Sequence, residues 1–208
     1  GRACSSRLAQ LDPSLIDKID RLFITHLHSD HIIGIPDLWL NGWGIGRRTP
    51  MKIIGPTGTK SMMGHIRKAY EFDINVRFND GVPATKTGLD ADFMDMATGK
   101  EGIVYEQDGL TVTVFPVDHA AVKPAFGYRV DYKGKSVLIS GDTARSENVI
   151  KYGMGVDVLL HEVMSPALIA AVTRMATPEQ AAKVIAYHTT ADQAADILQN
   201  GWIAISKS

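Results

Sequence analysis

A single cysteine, Cys4, in 208 residues leaves no partner for an intramolecular disulfide and too few thiolates for a cysteine-rich zinc ribbon. That scarcity fits a reducing compartment, so a cytoplasmic protein is expected, or a periplasmic one if a further segment precedes "GRACSSRLAQ", which lacks the apolar core of a signal peptide. No hydrophobic run approaches the roughly 20 residues of a membrane span. Charge of one sign is also missing: 22 basic residues face 23 acidic ones, so no overall field draws the chain to nucleic acid or to a membrane surface. Repeats and low-complexity tracts are absent. With 45% hydrophobic residues, the chain can bury a substantial core, and a single domain over residues 1–208 is expected.

The patterning is mixed. "SSRLAQLDPSLIDKI" has helical apolar spacing broken at a proline, and "DRLFIT" reads as a short buried strand. "GIPDLWLNGWGIG" reads as a helix with a glycine-rich exit, and "MKIIGPTGTKSMMGHIRKAY" as strand, turn and helix. Residues 75–102 are polar and turn-rich and read as a long loop or an excursion from the core. Two hairpins follow, around Gln-Asp-Gly and Lys-Gly; then come the short strand of "VDVLLHEV" and two alanine-rich helices, each opened by a threonine. Hairpins in the middle with βα units at both ends give an α+β class, with sheets covered by helices in αβ/βα layers.

The polar residues that matter fall just after apolar strands: His26, Asp118-His119, Asp142 and His161. A rigid sheet aims such residues into a shared cleft. Within "FITHLHSDHIIG", His26 and His28 share one side of an extended segment and can take adjacent positions on one metal ion. Asp30 and His31 come after the chain begins to turn, so they can face a second ion. Imidazole with carboxylate suits zinc, and iron or manganese as alternatives. A solvated histidine-rich turn is the plain alternative, but so dense a cluster arises by chance only about once in a few thousand such chains.

"THLHSDH" resembles the HxHxDH signature of the metallo-β-lactamase superfamily, whose fold is a four-layer αβ/βα sandwich of two sheets between helices. "VDHAAVKPAFGYRV" and "LISGDT" follow in the family's order. The resemblance spans residues 20–198 and implies that His26, His28 and His119 hold one zinc, and Asp30, His31 and bridging Asp142 the other. A water between two such ions becomes a nucleophile at neutral pH, and Asp30 can accept its proton.

"LLHEV" and "AYHTTADQAADIL" resemble the paired loops of the ribonuclease Z and arylsulfatase-like branch. The resemblance implies that His188 is the proton donor or charge stabiliser and Glu162 the residue that orients it, with His161 a weaker candidate. A zinc-dependent hydrolase of phosphate or sulfate esters is therefore expected, of phosphodiesterase or arylsulfatase type. Only "AAVKPAFGYRVDYKGKSVLISG" lies between His119 and Asp142, which leaves no room for the long flexible arm usual in tRNA-processing ribonuclease Z. This favours a small ester over nucleic acid. Arg47, Arg48 and Lys52 in "GRRTPMK" are candidate phosphate contacts or simply a solvated face. Trp39 and Trp43 are core residues at helical spacing, or an aromatic wall beside the metals.

The family's last histidine, after the "HTT" helix, has no counterpart in "ILQNGWIAISKS", and the chain opens near where the family's "DCGRG"-like turn ends. Both ends are thus expected to be truncated or rearranged: the chain is a fragment of a longer protein, a naturally shortened enzyme, or one protomer of a homo-oligomer that completes an open sheet edge, each with a weak second metal site. The alternatives are a tRNA 3′-processing endonuclease, a lactamase or lactonase, an iron-dependent oxidoreductase on the same ligands, and an inactive remnant.

Overall fold

A computed structural model describes residues 1–81 and 85–202. The chain forms two compact units, Gly1–Met96 and Ala97–Ser208.

The first unit opens with α1 (Cys4–Leu11) and a 3-10 turn, Pro13–Lys18, where the proline interrupts the helical pattern as expected. Then come β1 (Arg21–Phe23), the single turn α2 (Ser29–Ile32), α3 (Ile35–Ile45), β2 (Met51–Pro56), α4 (Thr59–Ala69), α5 (Glu71–Asn79) and β3 (Ala91–Met96). The three strands form a parallel sheet in the order β1-β2-β3, with Leu22 opposite Ile53 and Ile53 opposite Phe93. Helix α3 buries Ile35, Leu38, Trp39, Gly42 and Trp43, a spacing that sets one face against the core. Both indole N–H groups are satisfied, Trp39 by the carbonyl of Leu89 and Trp43 by that of Thr85. The two tryptophans are core packing, joined by Met51, Ile53, Met63, Ile74 and Leu89.

Two sequence expectations are corrected in this unit. The stretch 75–102 is not one long loop: residues 91–96 form β3, along the whole of β2. Residues 82–84 of that stretch lie outside the described residues. Strand β3 earns its place partly through Asp95, whose carboxylate accepts from the backbone N–H groups of Gly58 and Lys60 and so satisfies the open start of α4. Arg47 is not a solvated phosphate contact either. It is 2% exposed, and its guanidinium donates to the carbonyls of Trp39 (2.7 Å) and Gly88 (3.0 Å). Burial holds its pKa below the ordinary arginine value, with Asp20 opposing.

The second unit contains β4 (Gly102–Gln107), β5 (Leu110–Pro116), β6 (Phe126–Tyr132), β7 (Lys135–Ile139), α6 (Glu147–Gly153), β8 (Val158–Leu160), α7 (Pro166–Met175), α8 (Pro178–Ala186) and α9 (Ala191–Trp202). Its sheet runs β4-β5-β6-β7-β8, antiparallel up to β7 and parallel between β7 and β8. The expected hairpins close through two-residue turns, Asp108-Gly109 and Lys133-Gly134, with positive φ at all four positions. That geometry matches the right-handed twist of the flanking strands. Phe115, Leu138, Val149, Val156 and Ile197 form the core between this sheet and the helices α6 and α9. Helix α8 starts with a capping box between Thr177 and Gln180, and Thr190 exchanges the same pair of bonds with Gln193 at the start of α9. Each unit thus joins a sheet to helices, the α+β class expected. The "IAISKS" tail, read as continuing without a further histidine, lies outside the described residues.

Candidate metal and hydrolytic site

In the first unit the histidine cluster begins where β1 ends. The backbone stays extended through His28 (φ −63°, ψ 143°) and then turns into α2, which carries Asp30 in its first turn and His31 in its last. His26 is fully buried, while His28 and Asp30 are exposed and His31 is intermediate. The rings converge: the centroids of His26 and His28 are 4.9 Å apart, and those of His26 and His31 4.2 Å. The Asp30 carboxylate lies 3.5 Å from Nε2 of His31. Burial pushes the Asp30 carboxyl up, but its own backbone N–H and the nearby His31, His28 and His26 together hold it below the ordinary aspartate value. Asp30 is therefore an anion at neutral pH, suited to a cation.

In the second unit, His119 follows β5 and is 1% exposed. Its Nδ1 lies 3.0 Å from the carbonyl oxygen of Tyr187. A carbonyl can only accept, so Nδ1 carries the proton and Nε2 keeps its lone pair, the arrangement of a metal-ligating histidine held by a backbone carbonyl. Asp142 follows β7, and His188 lies between α8 and α9. One ligand atom each from His119, Asp142 and His188 falls within 4.8 Å of the others, so this trio can hold a metal ion. The chemistry of the donors, two imidazoles and a carboxylate, suits a divalent ion of the zinc, manganese or iron kind.

Glu162 follows β8. Its Oε1 accepts from the backbone N–H of Thr143 at 2.8 Å and from Nδ1 of His188 at 3.0 Å, while Nδ1 of His188 is 3.9 Å from Asp142. His188 and Glu162 are therefore joined, with side chains 23% and 16% exposed. His161 is set apart from them. Its Nδ1 donates to the carbonyl of Glu162 at 2.5 Å, and its buried Nε2 meets no hydrogen-bond partner among the described residues.

The sequence reading missed the groups that tie these loops together. Thr143 and Thr189 are fully buried, and Thr189 Oγ1 donates to the carbonyl of Thr143 at 2.7 Å. Ser140 Oγ accepts from the backbone N–H of Glu162 at 3.1 Å. The available signal was position: each threonine directly follows a candidate site residue, in "GDT" and "HTT".

Residues 3–200 match the family model described as a beta-lactamase superfamily domain. Among curated relatives, the ribonuclease Z of Mycolicibacterium gilvum is 31% identical over 193 residues, covering 91% of this chain and 64% of that protein. The putative ribonuclease Z of Mycobacterium tuberculosis is 31% identical over 178 residues, covering 84% of this chain and 75% of its own length. The chain thus spans a little under two thirds of the first of these relatives. Among solved structures, the short form of human tRNase Z superposes with a TM-score of 0.67 at 19% identity, covering 97% of this chain and 75% of that one. A metallo-β-lactamase fold protein from Bacillus subtilis superposes with a TM-score of 0.59 at 18% identity, covering 97% and 68%. Such likenesses between structures bear on the fold alone. Among the described residues no helix is long and apolar enough to cross a membrane. By the match of motif order, family model and relatives, the chain belongs to the metallo-β-lactamase superfamily, in its ribonuclease Z branch.

Proposed function

We propose that the protein is a metal-dependent phosphodiester hydrolase acting on RNA. The relatives' name, ribonuclease Z, supports RNA as the substrate and moves it ahead of the small ester favoured by the sequence reading. The observation that carries the hydrolytic part is the 3.0 Å bond between His188 Nδ1 and Glu162 beside the His119 and Asp142 donors. The motif series supports a ligand set of His26, His28 and His119 for one divalent ion and Asp30, His31 and Asp142 for another, with zinc the first choice. Ions held there would neutralise the non-bridging oxygens of the ester and lower the pKa of water.

The remaining steps belong to the chain's own groups. Glu162 is fixed by the Thr143 N–H and in turn fixes the imidazole of His188 through Nδ1. The proton to be delivered is therefore the one on Nε2, which His188 gives to the leaving oxygen as the phosphorus–oxygen bond breaks. General acid catalysis of this kind contributes about 10²- to 10⁴-fold. Asp30, an anion in this setting, is the base for the attacking water.

A second reading, hydrolysis of small phosphodiesters, is favoured by one observation: strands β6 and β7 are joined by Lys133-Gly134 alone, with no arm between them. The test is an assay panel of 3′-extended RNA, an aryl phosphodiester, an aryl sulfate and a cephalosporin, with zinc, manganese or chelator. Cleavage of RNA and of the aryl phosphodiester is expected, stopped by chelator and by Asp142→Ala. Cleavage of the aryl phosphodiester without RNA selects the second reading, and activity confined to the lactam overturns both. Iron with a visible charge-transfer band and no hydrolysis would favour the oxidoreductase alternative.

A further inference from the structure

Four loops of the second unit carry the residues of interest: Asp118-His119, Asp142 to Ala144, Glu162, and His188 to Thr190. All four meet at Thr143. Its backbone N–H donates to Glu162 (2.8 Å), its hydroxyl faces the carbonyls of Ala144 (2.7 Å) and Asp118 (3.2 Å) with one proton between them, and its carbonyl accepts from the hydroxyl of Thr189 (2.7 Å). The next residue, Ala144, donates its N–H to the same Asp118 carbonyl at 2.8 Å. The backbone of Thr189 is engaged as well, its carbonyl accepting from Met164 N–H at 2.8 Å. Neither Thr143 nor Thr189 is exposed, so water does not compete for these bonds.

We propose that Thr189 is a positioning residue: its hydroxyl, anchored on the carbonyl of Thr143, sets where His188 stands relative to Glu162. The connection is short. Thr143 holds one end of Glu162 and receives Thr189, and the residue before Thr189 is the one Glu162 binds. The three bonds close a ring through the side chain of Glu162, and within that ring the Thr189 hydroxyl touches neither Glu162 nor the His188 imidazole. Without it, the segment that carries His188 loses its tie to Thr143, while the imidazole keeps Glu162 and the ring of His119, whose centroid lies 5.1 Å away. A displacement of about 1 Å at a proton donor is enough to cost roughly 100-fold in rate.

The inference rests on His188 as the proton donor, and two readouts separate its failure from the failure of that reading. The first needs neither activity nor metal. A downfield imidazole N–H resonance, assigned to His188 by its absence in His188→Gln, is expected in the native protein and in Thr189→Ser, which keeps the hydroxyl. It is expected to be lost in Thr189→Val, or in Thr189→Ala if valine does not fold. The second is the leaving-group dependence of aryl phosphodiester hydrolysis. In Thr189→Val, kcat is expected to fall about 10- to 100-fold for a phenol leaving group and under about 3-fold for p-nitrophenol, which departs without a proton. KM is expected to hold, and Thr189→Ser to restore the native pattern. An unchanged resonance in Thr189→Val, or a uniform slowing across the series, overturns the positioning role. If His188→Gln itself slows the whole series uniformly, the proton-donor reading falls, and the resonance still decides whether Thr189 positions the ring.

Discussion

His119 donates its Nδ1–H to the carbonyl of Tyr187, 68 residues further along the chain, and so leaves the lone pair on Nε2. The backbone thereby selects a tautomer suited to a metal ligand, and a side-chain substitution at Tyr187 leaves that carbonyl in place. His119→Ala is therefore expected to strip bound divalent metal from dialysed protein, measured by plasma mass spectrometry, while Tyr187→Phe leaves the metal content unchanged. Equal metal in native and His119→Ala protein would remove His119 from the ligand set.

Glu162 has two donors on one oxygen, the Thr143 N–H and the His188 imidazole, and the proposed function gives only the second a part in the chemistry. Glu162→Gln is expected to lower kcat for an aryl phosphodiester with a poor leaving group by roughly 10²-fold, near the low end of what a general acid supplies. KM should change little. A fall in affinity with kcat intact would mean that Glu162 serves binding instead.

Gly88 lies against the backbone of Arg47, where a Cβ would come 1.8 Å from the Arg47 carbonyl oxygen. That atom cannot swing aside like the end of a long side chain, and Gly88 also offers its own carbonyl to the Arg47 guanidinium. Gly88→Ala is expected to destabilise by about 3 kcal/mol, the upper part of the usual range for overpacking. Urea denaturation would read it as a lower midpoint; an unchanged midpoint would show that the backbone yields.

Asp157 binds Lys135 Nζ at 2.7 Å and the Ser136 backbone N–H at 2.8 Å, joining the start of β7 to the residue before β8. The Lys135 ammonium, then the Ser136 N–H, hold its carboxyl below the ordinary value of 3.8. A carboxyl depressed in the folded state stabilises fully above its unfolded pKa and loses that contribution as pH falls through the folded one. Stability should thus decline below about pH 4, and Asp157→Asn should flatten that limb of the urea midpoint against pH. Parallel acid limbs in the two proteins would rule the pair out as a contributor.

Much of this was legible in the sequence because the decisive signals are local. The turns Asp108-Gly109 and Lys133-Gly134 announce their hairpins through residues that tolerate positive φ. His119, Asp142 and Glu162 each follow a strand readable as a short apolar run. What escaped depends on partners distant in sequence. Strand β3 looked like loop because "ADFMDM" is acidic and partly exposed; its pairing with β2 and the use of Asp95 at the start of α4 appear only when the chain folds. Arg47 looked like a surface cation because nothing local shows that the carbonyls of Trp39 and Gly88 converge on it. Thr143 and Thr189 are 46 residues apart, and a hydroxyl leaves no periodicity to read.

The exposed Lys133-Gly134 turn closes β6 on β7 with Asp131 directly opposite Ser136. Its tip projects from a register fixed on both sides, the kind of place where a chain accepts a spliced-in module without disturbing its core. A binding lobe inserted between residues 133 and 134 would leave the register of β6 and β7 as it is, so that a recognition surface could be added or varied separately from the loops that carry Asp142 and His188.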